Sequence, residues 1–214
     1  MVKMERKVAE MGTTIVGLCS KDSVILAADK RVTLAGRIVV DKKFEKIYQV
    51  NDYLLIAMTG SVSDAQLLGK FLRANLKLTE LKRNKPHSVK EAVNFLSNIL
   101  YGSARQYIPA VVEFLVAGRD NEGVHLYVIG MDGSIVKHDD YAADGSGMMY
   151  ATGTLEANYK QNMASPDAIK LAVQAVNSAL QRDAATGNGI EVYEVKKDAI
   201  KKVFDKDNQM NISA

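Results

Sequence analysis

Two runs near the start of the chain, 13–20 (TTIVGLCS) and 23–29 (SVILAAD), are almost continuously apolar, with only Lys21-Asp22 between them. A strand with one wet face alternates apolar and polar residues, so runs without alternation need cover on both faces. The pair therefore predicts a middle layer. Shorter strand patterns follow at 38–41, 46–50 and 53–59. The periodicity then becomes helical. Ser63 reads as an N-cap with Gln66 three residues on, and Leu67, Leu68, Phe71, Leu72, Leu76, Leu78 and Leu81 supply a stripe. Ser88 and Glu91 form a capping box before Ala92, Phe95, Leu96, Ile99 and Leu100. Strand patterns return at 110–118, 123–131 and 135–138. Helices follow at about 148–161 and from Ser165, the expected N-cap, through Pro166 and Asp167 to about 183. A last strand covers 190–196, and the tail beyond Lys197 reads as one short amphipathic helix and then polar residues. Grouped strands and grouped helices predict an α+β fold: two stacked antiparallel sheets with a helix pair on each outer face, in one domain.

Composition narrows the function. The net charge of +3, with acids and bases interspersed, calls for neither nucleic acid nor an anionic membrane. The single Cys19 excludes an intrachain disulfide framework and reads as an inert thiol in a strand. Residues 1–11 lack the apolar core of a signal peptide, and nothing approaches the ~20 apolar residues of a membrane span. A soluble, intracellular product is expected. His87, His125 and His138 are scattered with no HExxH, so no metal is expected. No nucleophile elbow appears, and Gly145-Ser146-Gly147 lacks the rest of a phosphate loop.

One stretch carries chemistry. A polar leader runs into Gly12-Thr13-Thr14 before the first buried strand. A threonine hydroxyl needs an adjacent base. Cleavage between Gly12 and Thr13 would create one on the same residue, an α-amine with an ordinary pKa of about 7.7–8.0. The bland alternative is a turn glycine before a β-branched strand. Asp29, Lys46 and Asp183 lie at element ends where they could serve Thr13, although charges there are mostly solvated or capping.

Taken together, these residues resemble the β-subunits of the proteasome core particle, of archaeal type, within the N-terminal nucleophile hydrolases. The resemblance spans essentially the whole chain. It rests on Gly12-Thr13-Thr14-x-Val16-Gly17, Ala27-Ala28-Asp29-x-Arg31-Val32-Thr33, Lys46-Ile47-Tyr48-Gln49, Thr59-Gly60-x-x-x-Asp64-Ala65-Gln66, Gly145-Ser146-Gly147 and Gln181-Arg182-Asp183-Ala184-Ala185-Thr186-Gly187. It implies the four-layer αββα sandwich, with 1–12 as an autocleaved propeptide and 13–214 as the hydrolase domain. Thr13 would be the nucleophile, freed by cleavage after Gly12. Lys46 would hold or relay its proton, with Asp29 paired to the lysine, and the Gly60 N–H would be an oxyanion donor. Ser146 and Asp183 would surround the Thr13 amine, and Thr186 stands where the family often has Ser. Val32, Phe44, Tyr48, Met58 and Val62 would line a pocket favouring cleavage after large hydrophobic residues.

The implied partners are proteasome α-subunits and other β-subunits, in heptameric rings stacked α7β7β7α7, and a regulatory ATPase ring acting through the α-rings. Unfolded proteins would be the substrates. The location would be cytoplasmic, and no cofactor is expected. A catalytically silent or conditionally processed ring subunit is the alternative, although such subunits typically lose the Thr, the Lys or the Gly present here. The smaller bacterial relative that pairs with a ring ATPase fits less well, given the Arg-Asp-Ala-Ala-Thr-Gly segment and the greater length.

Overall fold

The computed structural model of the chain describes residues 12–34 and 36–207. Most of the expected leader (1–11) and the final residues of the tail (208–214) lie outside the described residues. Strands β1 (Thr14–Cys19) and β2 (Ser23–Asp29) pair at the centre of one five-stranded sheet. Its order is β10-β1-β2-β11-β12, with β10 at Tyr141–Gly145, β11 at Gly189–Lys196 and β12 at Ile200–Asp207. The second sheet has the order β5-β6-β7-β8-β9, built from Ile47–Asn51, Leu54–Gly60, Val112–Asp120, Gly123–Ile129 and Ile135–His138. A small hairpin of β3 (Val32–Leu34) and β4 (Ile38–Asp41) stands apart. Every pairing is antiparallel.

The layers follow from which side chains each face buries. Ile15, Leu26 and Ala28 of the first sheet meet Leu55, Leu115 and Leu126 of the second in the inter-sheet core. Helices α1 (Val62–Arg83) and α2 (Val89–Ser103) cover the second sheet through Leu72, Leu76, Leu96 and Leu100. Helices α3 (Met148–Asn158) and α4 (Ser165–Arg182) cover the first through Leu155, Leu171 and Val176. This is the expected four-layer αββα sandwich, and β1 and β2 are buried on both faces as their unbroken apolar runs demand. Burial pushes the Cys19 thiol up to about 12, reinforced by Asp139 and Asp140, so it stays protonated and inert.

Local expectations shift in four places. The first helix starts earlier than Ser63: Ser61 is the N-cap, and its hydroxyl accepts from the Asp64 N–H at 3.4 Å. Of its apolar stripe, Leu68, Leu72 and Leu76 are buried, while Leu67, Phe71, Leu78 and Leu81 face outward. Ser165 lies inside its helix behind the N-cap Ala164, and its hydroxyl instead donates to Glu194 on β11. The segment after Lys197 is a strand, not a helix. Ile200 and Phe204 have helical spacing, but β11 offers an open row of backbone groups, and β12 pairs along it. A register shift at Val192/Tyr193 breaks the period of two, so Ile200 packs toward the inter-sheet core and Phe204 toward α3 and α4.

Candidate active site

Strand register gathers the motifs at one end of the sandwich. Thr14 pairs with Gly145, Ile15 with Ala28, and Ile190 with Asp29. The start of β1 therefore meets the ends of β2 and β10 and the turn before β11. From the other sheet come Lys46, just before β5, and Gly60, at the end of the antiparallel neighbour β6.

Asp29 is the hub and is fully buried. One carboxylate oxygen accepts from Lys46 Nζ at 2.6 Å and the Thr14 N–H at 2.9 Å. The other accepts from the N–H groups of Arg31 and Gly187, each at 3.0 Å. Four donors on one carboxylate hold it immobile. Lys46 is also buried, and burial lowers its pKa from the ordinary lysine value, opposed by the Asp29 charge beside it. Its ammonium donates a second bond, at 3.1 Å, to the carbonyl oxygen of Gly12. The Thr13 hydroxyl donates to that same oxygen at 2.7 Å. The Thr13 hydroxyl, the Lys46 ammonium and the Gly12 carbonyl oxygen thus share one buried point.

A second network closes the other side. Ser146 Oγ accepts from the Thr13 N–H at 3.2 Å and donates to Asp183 at 2.5 Å. Thr186 donates to the same Asp183 oxygen at 2.5 Å, which leaves the Thr14 hydroxyl to donate to Thr186 at 2.7 Å. Asp183 therefore reaches the Thr13 nitrogen only through Ser146. Arg31 ties down the turn, donating to Ala184 O at 2.8 Å and Asn188 Oδ1 at 2.7 Å. Two glycines are sterically required. A Cβ on Gly12 would sit 1.9 Å from the Ala185 methyl, and Gly60 holds φ +87° with Val111 O only 2.2 Å from where a Cβ would be.

A family model described as "Proteasome subunit" matches residues 9–195. The chain belongs to the proteasome subunit family. It is 38% identical to a protein named proteasome subunit beta from Methanopyrus kandleri, over 87% of this chain and 88% of that one. It is 41% identical to one of the same name from Nanoarchaeum equitans, over 90% of this chain and 97% of that one. A proteasome subunit beta 2 from Ignicoccus hospitalis is 42% identical, over 93% and 92% of the two chains.

Within this proteasome subunit, Val32, Phe44, Met58 and Val62 line a narrow cavity together with Gly12, Thr13, Lys46 and Gly60. Tyr48 does not join them. It lines the adjoining groove beyond Phe44 and Met58, with its ring under the Arg73 guanidinium at 4.4 Å. Sequence reasoning missed several participants. Thr33 accepts the Gly12 N–H at 2.9 Å, Ala65 closes the cavity wall, and Glu191 holds the Lys46 backbone. Glu191 had a signal: an acid in the run Ile190-Glu191-Val192, inside a strand buried on both faces, needs a partner.

Proposed function

We propose that this proteasome peptidase subunit is a threonine-type endopeptidase that exposes its own nucleophile. The observation that carries the reading is the convergence of the Thr13 hydroxyl (2.7 Å) and the Lys46 ammonium (3.1 Å) on the Gly12 carbonyl oxygen, with Asp29 2.6 Å from the lysine. Two donors polarise that carbonyl, and an ammonium beside it stabilises the negative charge of a tetrahedral adduct. Thr13 Oγ1 adds to the Gly12 carbonyl carbon, and the C–N bond then breaks. The hydroxyl proton ends on the Thr13 nitrogen, leaving an ester. Water splits the ester, releasing residues 1–12 as a carboxylate and leaving 13–214 with a free amine and hydroxyl on Thr13.

In the processed chain that amine would lie beside Ser146, and Lys46 would remain near the hydroxyl. A substrate carbonyl then takes the place of Gly12. Thr13 acylates, the leaving amine departs with a proton, and water regenerates the hydroxyl. Gly60 borders the same cavity, where its N–H can serve a developing oxyanion. The apolar lining of Val32, Phe44, Met58 and Val62 supports cleavage after hydrophobic residues. We place the chain in the cytoplasm, in heptameric β-rings between α-rings (α7β7β7α7), fed with unfolded protein by an ATPase ring.

The test is the intact mass of the protein assembled with its α partner, beside a Thr13→Ala control. Loss of residues 1–12 in the wild type alone is expected. A full-length mass in the assembled wild-type particle would overturn the reading in favour of a silent or conditionally processed ring subunit.

A further inference from the structure

Glu191 is fully buried on β11, in the sheet that carries Thr13, yet its carboxylate serves the opposite sheet. Oε1 accepts from the N–H of Lys46 at 2.8 Å and of Ile47 at 3.0 Å. Among the described residues, strand β5 lies at the edge of its sheet and pairs only with β6. Two successive N–H groups converging on one oxygen fix the backbone where β5 begins. Lys46, whose Nζ reaches Asp29 and the Gly12 carbonyl, is the residue fixed. Its side chain has four rotatable bonds, so Nζ is placed only if the Cα is also held.

Burial raises the Glu191 pKa, opposed by the two amides and by Lys202. Lys202, on β12, lies 3.5 Å from Oε2 and also bonds Glu45 at 2.7 Å and Asp205 at 2.9 Å. An apolar residue at this position would leave two amides without an acceptor.

We propose that Glu191 is the positioning residue for Lys46. Its side chain pins the lysine backbone to the sheet bearing Thr13, so the amine and the hydroxyl keep their registration across the sandwich. The proposal rests on the threonine reading of Thr13 and Lys46.

The experiment compares assembled particles carrying wild type, Glu191→Gln, Glu191→Met and Thr13→Ala, with steady-state kinetics on an unstructured fluorogenic peptide. Gln keeps an acceptor oxygen, so its kcat and KM should stay within about twofold of wild type. Met has no such oxygen, and loss of placement should lower kcat about 10- to 100-fold with KM nearly unchanged. A wild-type kcat in Glu191→Met, or a Gln variant as slow as Met, overturns the proposal. Hydrogen exchange of the wild-type particle decides the matter even if the Met variant fails to assemble. The Lys46 and Ile47 amides should exchange at least about 100-fold slower than open edge amides, and exchange at the open rate overturns the proposal. Undiminished cleavage by Thr13→Ala would instead overturn the threonine reading.

Discussion

At the residue scale, Asp29 shows how a buried charge becomes a scaffold. Its side chain binds the strand that presents Thr13, the turn that carries Gly187, and the lysine from the other sheet. Asparagine has nearly the same shape but one acceptor oxygen, and its amide group would face two donors. Asp29→Asn should leave Lys46 buried without its counter-charge, destabilising the fold by about 3–5 kcal/mol. Peptidase kcat should fall at least about 100-fold. Chemical denaturation and steady-state kinetics of the same preparation check both, and an Asn variant with wild-type kcat would remove Asp29 from the mechanism.

Elements are placed by the chemistry of their ends. The capping box on α2 joins Ser88 and Glu91, with the Glu91 carboxylate accepting the Ser88 N–H at 2.8 Å and Arg83 reaching it at 2.9 Å. The Ser88 backbone and then Arg83 hold its pKa down at about 2. An unfolded glutamate titrates near ~4.3, so the folded form is the stronger acid. The resulting stability is present above that value and is lost as pH falls through about 2. Glu91 is 43% exposed, so screening keeps the contribution below about 1 kcal/mol. The stability gap between wild type and Glu91→Gln should therefore shrink between about pH 5 and 2 in denaturation curves. A gap that ignores pH would mean the carboxylate's charge is not used.

For the whole molecule, the decisive feature is the contact between the two sheets, because the site draws on both. Gly17 marks how closely they pack: a Cβ there would lie 2.7 Å from Leu126 Cδ1 and 3.2 Å from Leu115 Cδ2. Gly17→Val should overpack the interface, destabilising the fold by about 1–3 kcal/mol. Separating the sheets also separates Lys46 from Thr13, so the proposed removal of residues 1–12 should slow as well. Thermal melts and the rate of mass loss during assembly measure the two effects. An unchanged melting temperature would show that the sheets adjust there without strain.

The type and grouping of most elements were legible in the sequence because they depend on local periodicity. Unbroken apolar runs at β1 and β2 required cover on both faces, and capping residues placed α2. The Gly12-Thr13 motif and its companions Asp29, Lys46, Ser146, Asp183 and Thr186 were also visible, since their residue types and spacings match a family pattern. Contacts decided by long-range geometry were not. Asp183 reaches Thr13 only through Ser146, Tyr48 lies outside the cavity, and Glu191 crosses between sheets. The last strand illustrates the physical reason. Ile200 and Phe204 have the spacing of a helix, yet backbone pairing with the open side of β11 and one register shift send them to opposite faces. Local pattern determines what a segment can be, and the hydrogen-bonding partners present in the assembled fold determine what it becomes.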